Sequence, residues 1–179
     1  LKTLTLLRHA KSGWDDTVAR DFDRPLNAKG RKAAQVVGAH LRELGLSFDH
    51  IVASPAERVV QTIADVAAGY RQPIEPAWDK RLYLASSATL LDVARESPAD
   101  AERLLMIGHN PGLEDFVLLL MGSGDPALVR EAELKYPTAT LAELTFDVDD
   151  WTALAPAIGT LTRFIRPRDL DPALGPSEE

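Results

Sequence analysis

The hydrophobic pattern of the chain switches repeatedly between strand and helix periods. Thr3 to Leu7 is an apolar, threonine-containing run of strand length. It ends at Arg8-His9 and gives way to a polar stretch, Ala10 to Arg24, in which Trp14-Asp15-Asp16 and Asp21-Phe22-Asp23-Arg24 follow no period. Ala33, Ala34, Val37, Leu41 and Leu44 then recur at helical spacing, with Asn27 as a natural N-cap and Gly45 as the stop. His50 to Ala53 reads as a short buried strand. Ser54-Pro55 follows, with Pro55 suited to a first helical turn, and Val59, Ile63, Val66 and Ala67 mark the apolar face of that helix. Tyr70 to Leu84 is broken and has room for short strands. Ser87 to Glu96 predicts a helix. Arg103 to Ile107 is a strongly apolar strand that ends at Gly108-His109-Asn110-Pro111-Gly112, and a further helix runs through Leu120.

The last third is more β-like. Thr138 to Phe146 and Gly159 to Ile165 alternate and are rich in Thr and Leu. Strands alternating with helices predict an α/β fold, a three-layer sandwich whose mostly parallel central sheet carries helices on both faces. The late pair is expected to add an antiparallel edge. Residues 1–166 are expected to form a single domain, and 167–179, rich in proline and acid, a flexible tail. No internal repeat or low-complexity tract interrupts this order.

Composition narrows the function classes. At 179 residues the chain suits one domain, and a domain of this size buries roughly 70% of its unfolded surface without staples. It contains no cysteine, which excludes disulfides, thiol nucleophiles and Cys-ligated metal sites. The longest apolar run, Phe116 to Met121, is far too short to span a bilayer. Residues 1–4 show none of the features of a secretory signal, so a cytoplasmic chain without a membrane partner is expected. The net charge is −7, against the basic balance usual in nucleic-acid binders, and no nucleic-acid partner is expected. Any anion handled here must be held by a local cluster of positive groups. No extended apolar stripe marks an obligate interface, and a monomer is the expectation.

The candidate chemistry lies where the apolar strands end. The first ends in Arg8-His9, the second in Ser54-Pro55 with Arg58 one turn later, the third in Gly108-His109-Asn110. In open α/β sheets the ligand site lies beyond the carboxyl ends of the strands, which gives two arginines and two histidines a route to one pocket. Arginine forks suit phosphate oxygens, and neutral imidazole is a competent nucleophile. Phosphoryl transfer chiefly requires in-line positioning and compensation of charge on the equatorial oxygens. A zinc site from His9, His109 and an aspartate is the less favoured use, because the adjacent arginines would repel the cation. His40 and His50 belong to no motif.

At these residues the chain resembles a known family. Leu7-Arg8-His9-Ala10-Lys11-Ser12, Arg24-Pro25-Leu26-Asn27-Ala28-Lys29-Gly30, Ser54-Pro55-Ala56-Glu57-Arg58-Val59-Val60-Gln61-Thr62 and Gly108-His109-Asn110-Pro111-Gly112-Leu113-Glu114 resemble, in order, motifs of the histidine phosphatase superfamily, whose fold is phosphoglycerate-mutase-like. The nearest likeness is to small phosphohistidine phosphatases of the SixA type, which Ala10 also matches where the wider family commonly has glycine. The resemblance implies a phosphatase in which His9 is the phosphorylated nucleophile and Arg8, Arg58 and His109 complete the phosphate pocket. Lys11, Ser12 and Asn110 are candidates for holding substrate. It implies no metal and no organic cofactor.

One departure bears on the substrate. Many members of the superfamily supply an acidic proton donor from the segment that corresponds to Leu82-Tyr83-Leu84-Ala85-Ser86-Ser87, and this segment has no Asp or Glu. An alkoxide leaving group benefits greatly from a general acid, whereas the imidazole of phosphohistidine leaves far more readily. The gap therefore favours phosphoramidates, or activated esters, over sugar phosphates, and a chain without long insertions to form a lid suits a protein-borne phosphate; the expected substrate is phosphohistidine in a protein, such as a histidine phosphotransfer domain. Asp15, Asp16 and Glu114 are the alternative acids. Two other readings stay open on the residues: a small-molecule phosphomonoester phosphatase of the same fold, and a phosphoprotein-binding module without turnover.

Overall fold

The computed structural model describes residues 1–13 and 20–175, which places Trp14, Asp15, Asp16 and residues 176–179 outside the description. Its seven strands are β1 (Lys2–Arg8), β2 (His50–Ala53), β3 (Ala77–Trp78), β4 (Arg103–Gly108), β5 (Met121–Gly124), β6 (Leu141–Phe146) and β7 (Gly159–Ile165). They form one sheet in the order β3-β2-β4-β1-β6-β7-β5. β3, β2, β4 and β1 pair in parallel, β6 runs antiparallel to both β1 and β7, and β5 is parallel to β7. Only β6 is reversed, so the sheet is mostly parallel.

The central strands are apolar on both faces because both are covered. Leu4 and Leu6 of β1 and Leu104 and Met106 of β4 face one core, which α3 (Ser87–Arg95), α4 (Gly112–Leu120) and α5 (Pro126–Leu134) close. Leu7, Leu105 and Ile107 face the other, under α1 (Ala28–Leu44) and α2 (Glu57–Tyr70). The period-two alternation therefore yields the three-layer sandwich. Asn27 caps α1 by accepting from the Gly30 N–H at 2.8 Å, and Gly45 ends it at φ 68°. No helix among the described residues is long and apolar enough to cross a membrane.

The structure revises four details. The late pair is not an edge: β6 lies against β1, and the edge is β5, whose Met-Gly-Ser-Gly composition hides its strand character. The helix α5 follows it, where the sequence signals no element. Pro55 precedes α2, which starts at Glu57. Finally, the first part of the expected tail is built into the body. Pro167–Leu170 forms a short helix, α6, and Leu174 is 7% exposed within the α1–α2 core. Two apolar side chains, Leu170 and Leu174, outweigh the loop-like composition there.

Helices α1 and α2 touch backbone to backbone. A Cβ on Gly38 would lie 2.0 Å from the Val66 carbonyl oxygen, and one on Gly69 would lie 2.0 Å from that of Gln35. This close approach sets the position of α2, and with it Arg58 and Thr62. Gly38→Ala should therefore cost about 1–3 kcal/mol, as overpacking does. Urea denaturation checks this, and an unchanged midpoint would show that the helices separate freely.

Candidate active site

Register brings the three strand ends together. Arg8 lies beside Gly108 in the β1–β4 pair, and Ala53 lies beside Ile107 in the β2–β4 pair. Just beyond them the His9 N–H donates to the Gly108 carbonyl at 3.1 Å, and the Ser54 N–H donates to that of Ile107 at 3.1 Å. Arg8, His9, Arg58 and His109 consequently line one pocket of about 610 Å³. Lys11, Ser12 and Asn110 line it too, together with Asp21, Arg24 and Leu84.

His9 is 6% exposed, and its Nδ1 lies 2.7 Å from the Ala10 carbonyl oxygen. A carbonyl only accepts, so Nδ1 carries the proton and Nε2 keeps the lone pair. Burial pushes the imidazole well below its ordinary value. The Ala10 bond opposes this, and Arg8, His109 and Arg58 add to the depression. The ring is therefore neutral at pH 7. Ala10 is itself held from α2: its N–H donates to Thr62 Oγ1 at 2.9 Å, and that hydroxyl donates to the Arg58 carbonyl at 2.6 Å. On the other side the Lys11 carbonyl accepts from the Asn27 N–H at 3.0 Å. A Cβ on Gly30 would strike that carbonyl at 2.1 Å, so only glycine lets α1 begin so close to the loop.

His109 lies with its ring centroid 5.4 Å from that of His9. Its Nε2 is 2.7 Å from Ser54 Oγ, and its Nδ1 is buried without a hydrogen-bond partner among the described residues. Ser54 Oγ already accepts from the Ala56 N–H at 3.3 Å. Its own proton has no other acceptor among the described residues. The tautomer that satisfies every group has Ser54 donating to Nε2 and leaves Nδ1–H as the open donor. Burial, followed by the Arg58 charge, pushes the ring down to about 3; Asp21 opposes, and Arg8 and Arg24 add to the fall.

The two arginines are fixed differently. Arg8 Nη1 donates to the Tyr136 carbonyl at 2.9 Å, and the same carbonyl accepts from Asn110 Nδ2 at 3.1 Å. The Arg58 side chain is 3% exposed. It donates through Nη1 to the Asp21 carbonyl at 2.9 Å and through Nη2 to Asp21 Oδ2 at 3.0 Å. Its Nε is buried without a partner among the described residues. Burial raises the Asp21 carboxyl, but the Tyr83 hydroxyl, Arg58 and Arg24 outweigh it and hold the group at about 2. The Tyr83 hydroxyl reaches Asp21 Oδ2 at 2.5 Å, and Arg24 Nε reaches Oδ1 at 3.0 Å.

Thr62, the last residue of the Ser54–Thr62 motif, closes the Ala10–Arg58 link, a role the motif does not spell out. Other site residues carry no signal that the sequence reading used. Tyr136 lies in an unpatterned stretch, yet it is buried, donates to the Leu6 carbonyl at 2.6 Å and clamps Arg8 through its own carbonyl. Asp21, in the stretch that follows no period, holds Arg58 and Arg24. Leu84 stands at the pocket, 56% exposed, with φ 50°. A bulky residue in that left-handed conformation is uncommon and costs energy. Of the alternative acids, Glu114 is turned to Asn110, whose Nδ2 lies 3.3 Å from Glu114 Oε1. Asn110 accepts in return from the Glu114 N–H at 3.2 Å. Among the described residues no group of three or more His, Asp or Glu is gathered so as to hold a metal ion.

Comparison with known proteins agrees with this geometry. The family model of the histidine phosphatase superfamily (branch 1) matches residues 4–82. The uncharacterized protein Rv1276c of Mycobacterium tuberculosis is 31% identical over 164 residues, which cover 90% of this chain and all of that protein. A structure assigned as phosphohistidine phosphatase SixA from Nakamurella multipartitia superposes with a TM-score of 0.77 at 31% identity, covering 93% of this chain and 96% of that one. One assigned likewise from Agrobacterium tumefaciens gives 0.77 at 26% identity, over 93% and 98% of the two chains.

Two outcomes follow from the site. Both histidines are held neutral here but titrate near 6.5 when unfolded. As pH falls the unfolded chain binds protons first, so stability that is full above about pH 6.5 declines toward the lower folded values. The urea midpoint should drop between about pH 6.5 and pH 4.5, and His109→Asn should flatten that slope; a flat wild-type profile would contradict neutral histidines. Thr62→Val should cost about 1–3 kcal/mol by stranding the Ala10 N–H, with Thr62→Ser restoring stability.

Proposed function

The chain belongs to the histidine phosphatase superfamily and is a phosphatase, and from that premise we propose that it removes phosphate from phosphohistidine in a protein, through a covalent intermediate on His9. The reading rests on one observation. The pocket holds a neutral imidazole with its Nε2 lone pair available, set among Arg8, Arg58 and His109, and among the described residues it holds no protonated carboxylic acid.

In the first step Nε2 of His9 attacks phosphorus, and the bond from phosphorus to the substrate's nitrogen breaks. The departing imidazole leaves neutral when its distal nitrogen carries a proton, so the enzyme need not supply one. The transferring group spreads charge over three equatorial oxygens, and the Arg8 and Arg58 guanidiniums with the open N–H of His109 are the donors that compensate it. The phosphorylated His9 ring is cationic, and the Ala10 carbonyl, accepting from Nδ1–H, stabilises that charge. In the second step water gives its oxygen to phosphorus and its proton to phosphate or solvent. The P–Nε2 bond breaks, and His9 returns to its starting tautomer without a proton transfer at the ring.

Among the described residues no carboxylic acid at the pocket is placed to donate a proton, and this favours one class of leaving group. Asp21 is the carboxylate that lines the pocket among the described residues, and at about 2 it is ionised and held by three donors. Tyr83 is pushed up by burial and by Asp21 and already directs its hydroxyl at that carboxylate. Neither serves an alkoxide that must leave protonated, and a phosphoramidate has no such need. The pocket is also far larger than one phosphoryl group fills, which suits phosphate borne on a protein.

A substrate panel tests the reading. A phosphohistidine protein should be turned over faster than phosphoserine or sugar phosphates, and His9→Ala should abolish all turnover while the fold persists. Arg58→Ala should lower kcat/KM by about 10²–10³-fold, as loss of one donor to a transition-state oxyanion does. Faster turnover of a sugar phosphate would move the protein to the small-molecule phosphatases. Tight phosphoprotein binding without turnover would make it a recognition module.

A further inference from the structure

A second, smaller cleft adjoins the catalytic pocket. It lies between α1, α6 and the Pro137-Thr138 turn, and it has four cationic side chains, Lys11, Lys29, Arg166 and Arg168, over a floor that includes Ala33 and Leu174. Lys11 lines both spaces. The Pro137-Thr138 wall directly follows Tyr136, whose carbonyl anchors Arg8. The two spaces are thus joined through one loop and one lysine.

The cations are only partly compensated. Glu131 and Asp169 are both committed to Arg166, at 2.5 and 2.9 Å. Asp171 is taken by Lys32 at 3.9 Å. Lys11, Lys29 and Arg168 form no ion pair among the described residues, although Arg168 adds to the field that lowers Asp169. Three positive side chains gathered without an ion-pair partner among the described residues, in a chain of net charge −7, mark a place where a negative group is favoured locally although the whole body repels it.

Size limits what that group is. The cleft has space of about 20 Å³, enough for one small polar head and too little for a sugar ring or a base. We propose that this cleft is an anion subsite of the phosphatase that takes an aspartate or glutamate side chain on the protein substrate, close to the phosphorylated residue. The proposal rests on the protein-substrate reading above. It makes Lys29 and Arg168 specificity-determining residues, and the substrate an acidic surface around its phosphorylated side chain.

The experiment uses two pairs of phosphopeptides. Within each pair the flanking residues are Asp and Glu or their amides, and one pair carries phosphohistidine, the other phosphotyrosine. The wild type should prefer the acidic member by about tenfold in kcat/KM, through KM, and high salt should erase that preference. The double variant Lys29→Glu, Arg168→Glu changes two exposed side chains and should abolish or reverse the preference. No acidic preference in either pair would overturn the subsite. So would a preference that survives the double variant, or a preference confined to a bisphosphorylated sugar over its monophosphate. An acidic preference in the phosphotyrosine pair, with neither phosphohistidine peptide turned over, would keep the subsite and overturn the phosphohistidine reading instead.

Discussion

The contact on which the site depends is the 2.7 Å hydrogen bond from His9 Nδ1 to the carbonyl of the next residue, Ala10. As a stabilising interaction it is modest, about 0.5–1.5 kcal/mol net. Its weight lies in direction: it fixes the tautomer, leaves the lone pair on Nε2 and would supply a counter-dipole to the cationic ring of the proposed phosphoenzyme. Much of the surrounding structure serves to hold that carbonyl. Thr62 ties Ala10 to α2, Gly30 lets α1 press on the Lys11 carbonyl, and the Gly38–Gly69 contact fixes the two helices against each other.

A second constraint is electrostatic. An acidic chain concentrates Arg8, Arg58, Arg24 and Lys11 around two buried histidines. Protonated imidazoles in that setting would meet both a desolvation cost and repulsion, so both rings stay neutral, and the neutral state is what leaves His9 the lone pair that the proposed attack requires. Asp21 keeps the Arg58 guanidinium from standing alone in a buried position, where an unpaired charge is expensive. The cost of that arrangement is a carboxylate too acidic to act as a proton donor. The same geometry that orders the arginine therefore bears on which leaving group the site can release.

The fold was legible where burial imposes a period. Leu4 to Leu7 and Leu104 to Ile107 read as strands because both faces of the sheet are covered, and α1 read cleanly because Asn27 and Gly45 bracket it. β5 was not legible, since Met-Gly-Ser-Gly carries no alternation and gains its strand only by pairing with β7. The segment 167–175 was misjudged because composition speaks for the chain alone, while Leu174 is fixed by a core assembled from α1 and α2. At the site, the strand ends and family motifs pointed to Arg8, His9, Arg58 and His109, and all four meet in one pocket. Tyr136 and the Asp21–Arg58 pair escaped notice because their roles arise from backbone carbonyls and from residues 37 to 130 positions away in sequence, which no local pattern encodes.

The orientation of His9 is open to direct measurement. The phosphoenzyme can be trapped during turnover by rapid alkaline quench, digested, and the phosphorylated ring atom identified by mass spectrometry with phosphorus NMR. The account predicts phosphate on Nε2 of His9. Phosphate on Nδ1 of His9, phosphate on His109, or turnover without any acid-labile adduct would contradict it.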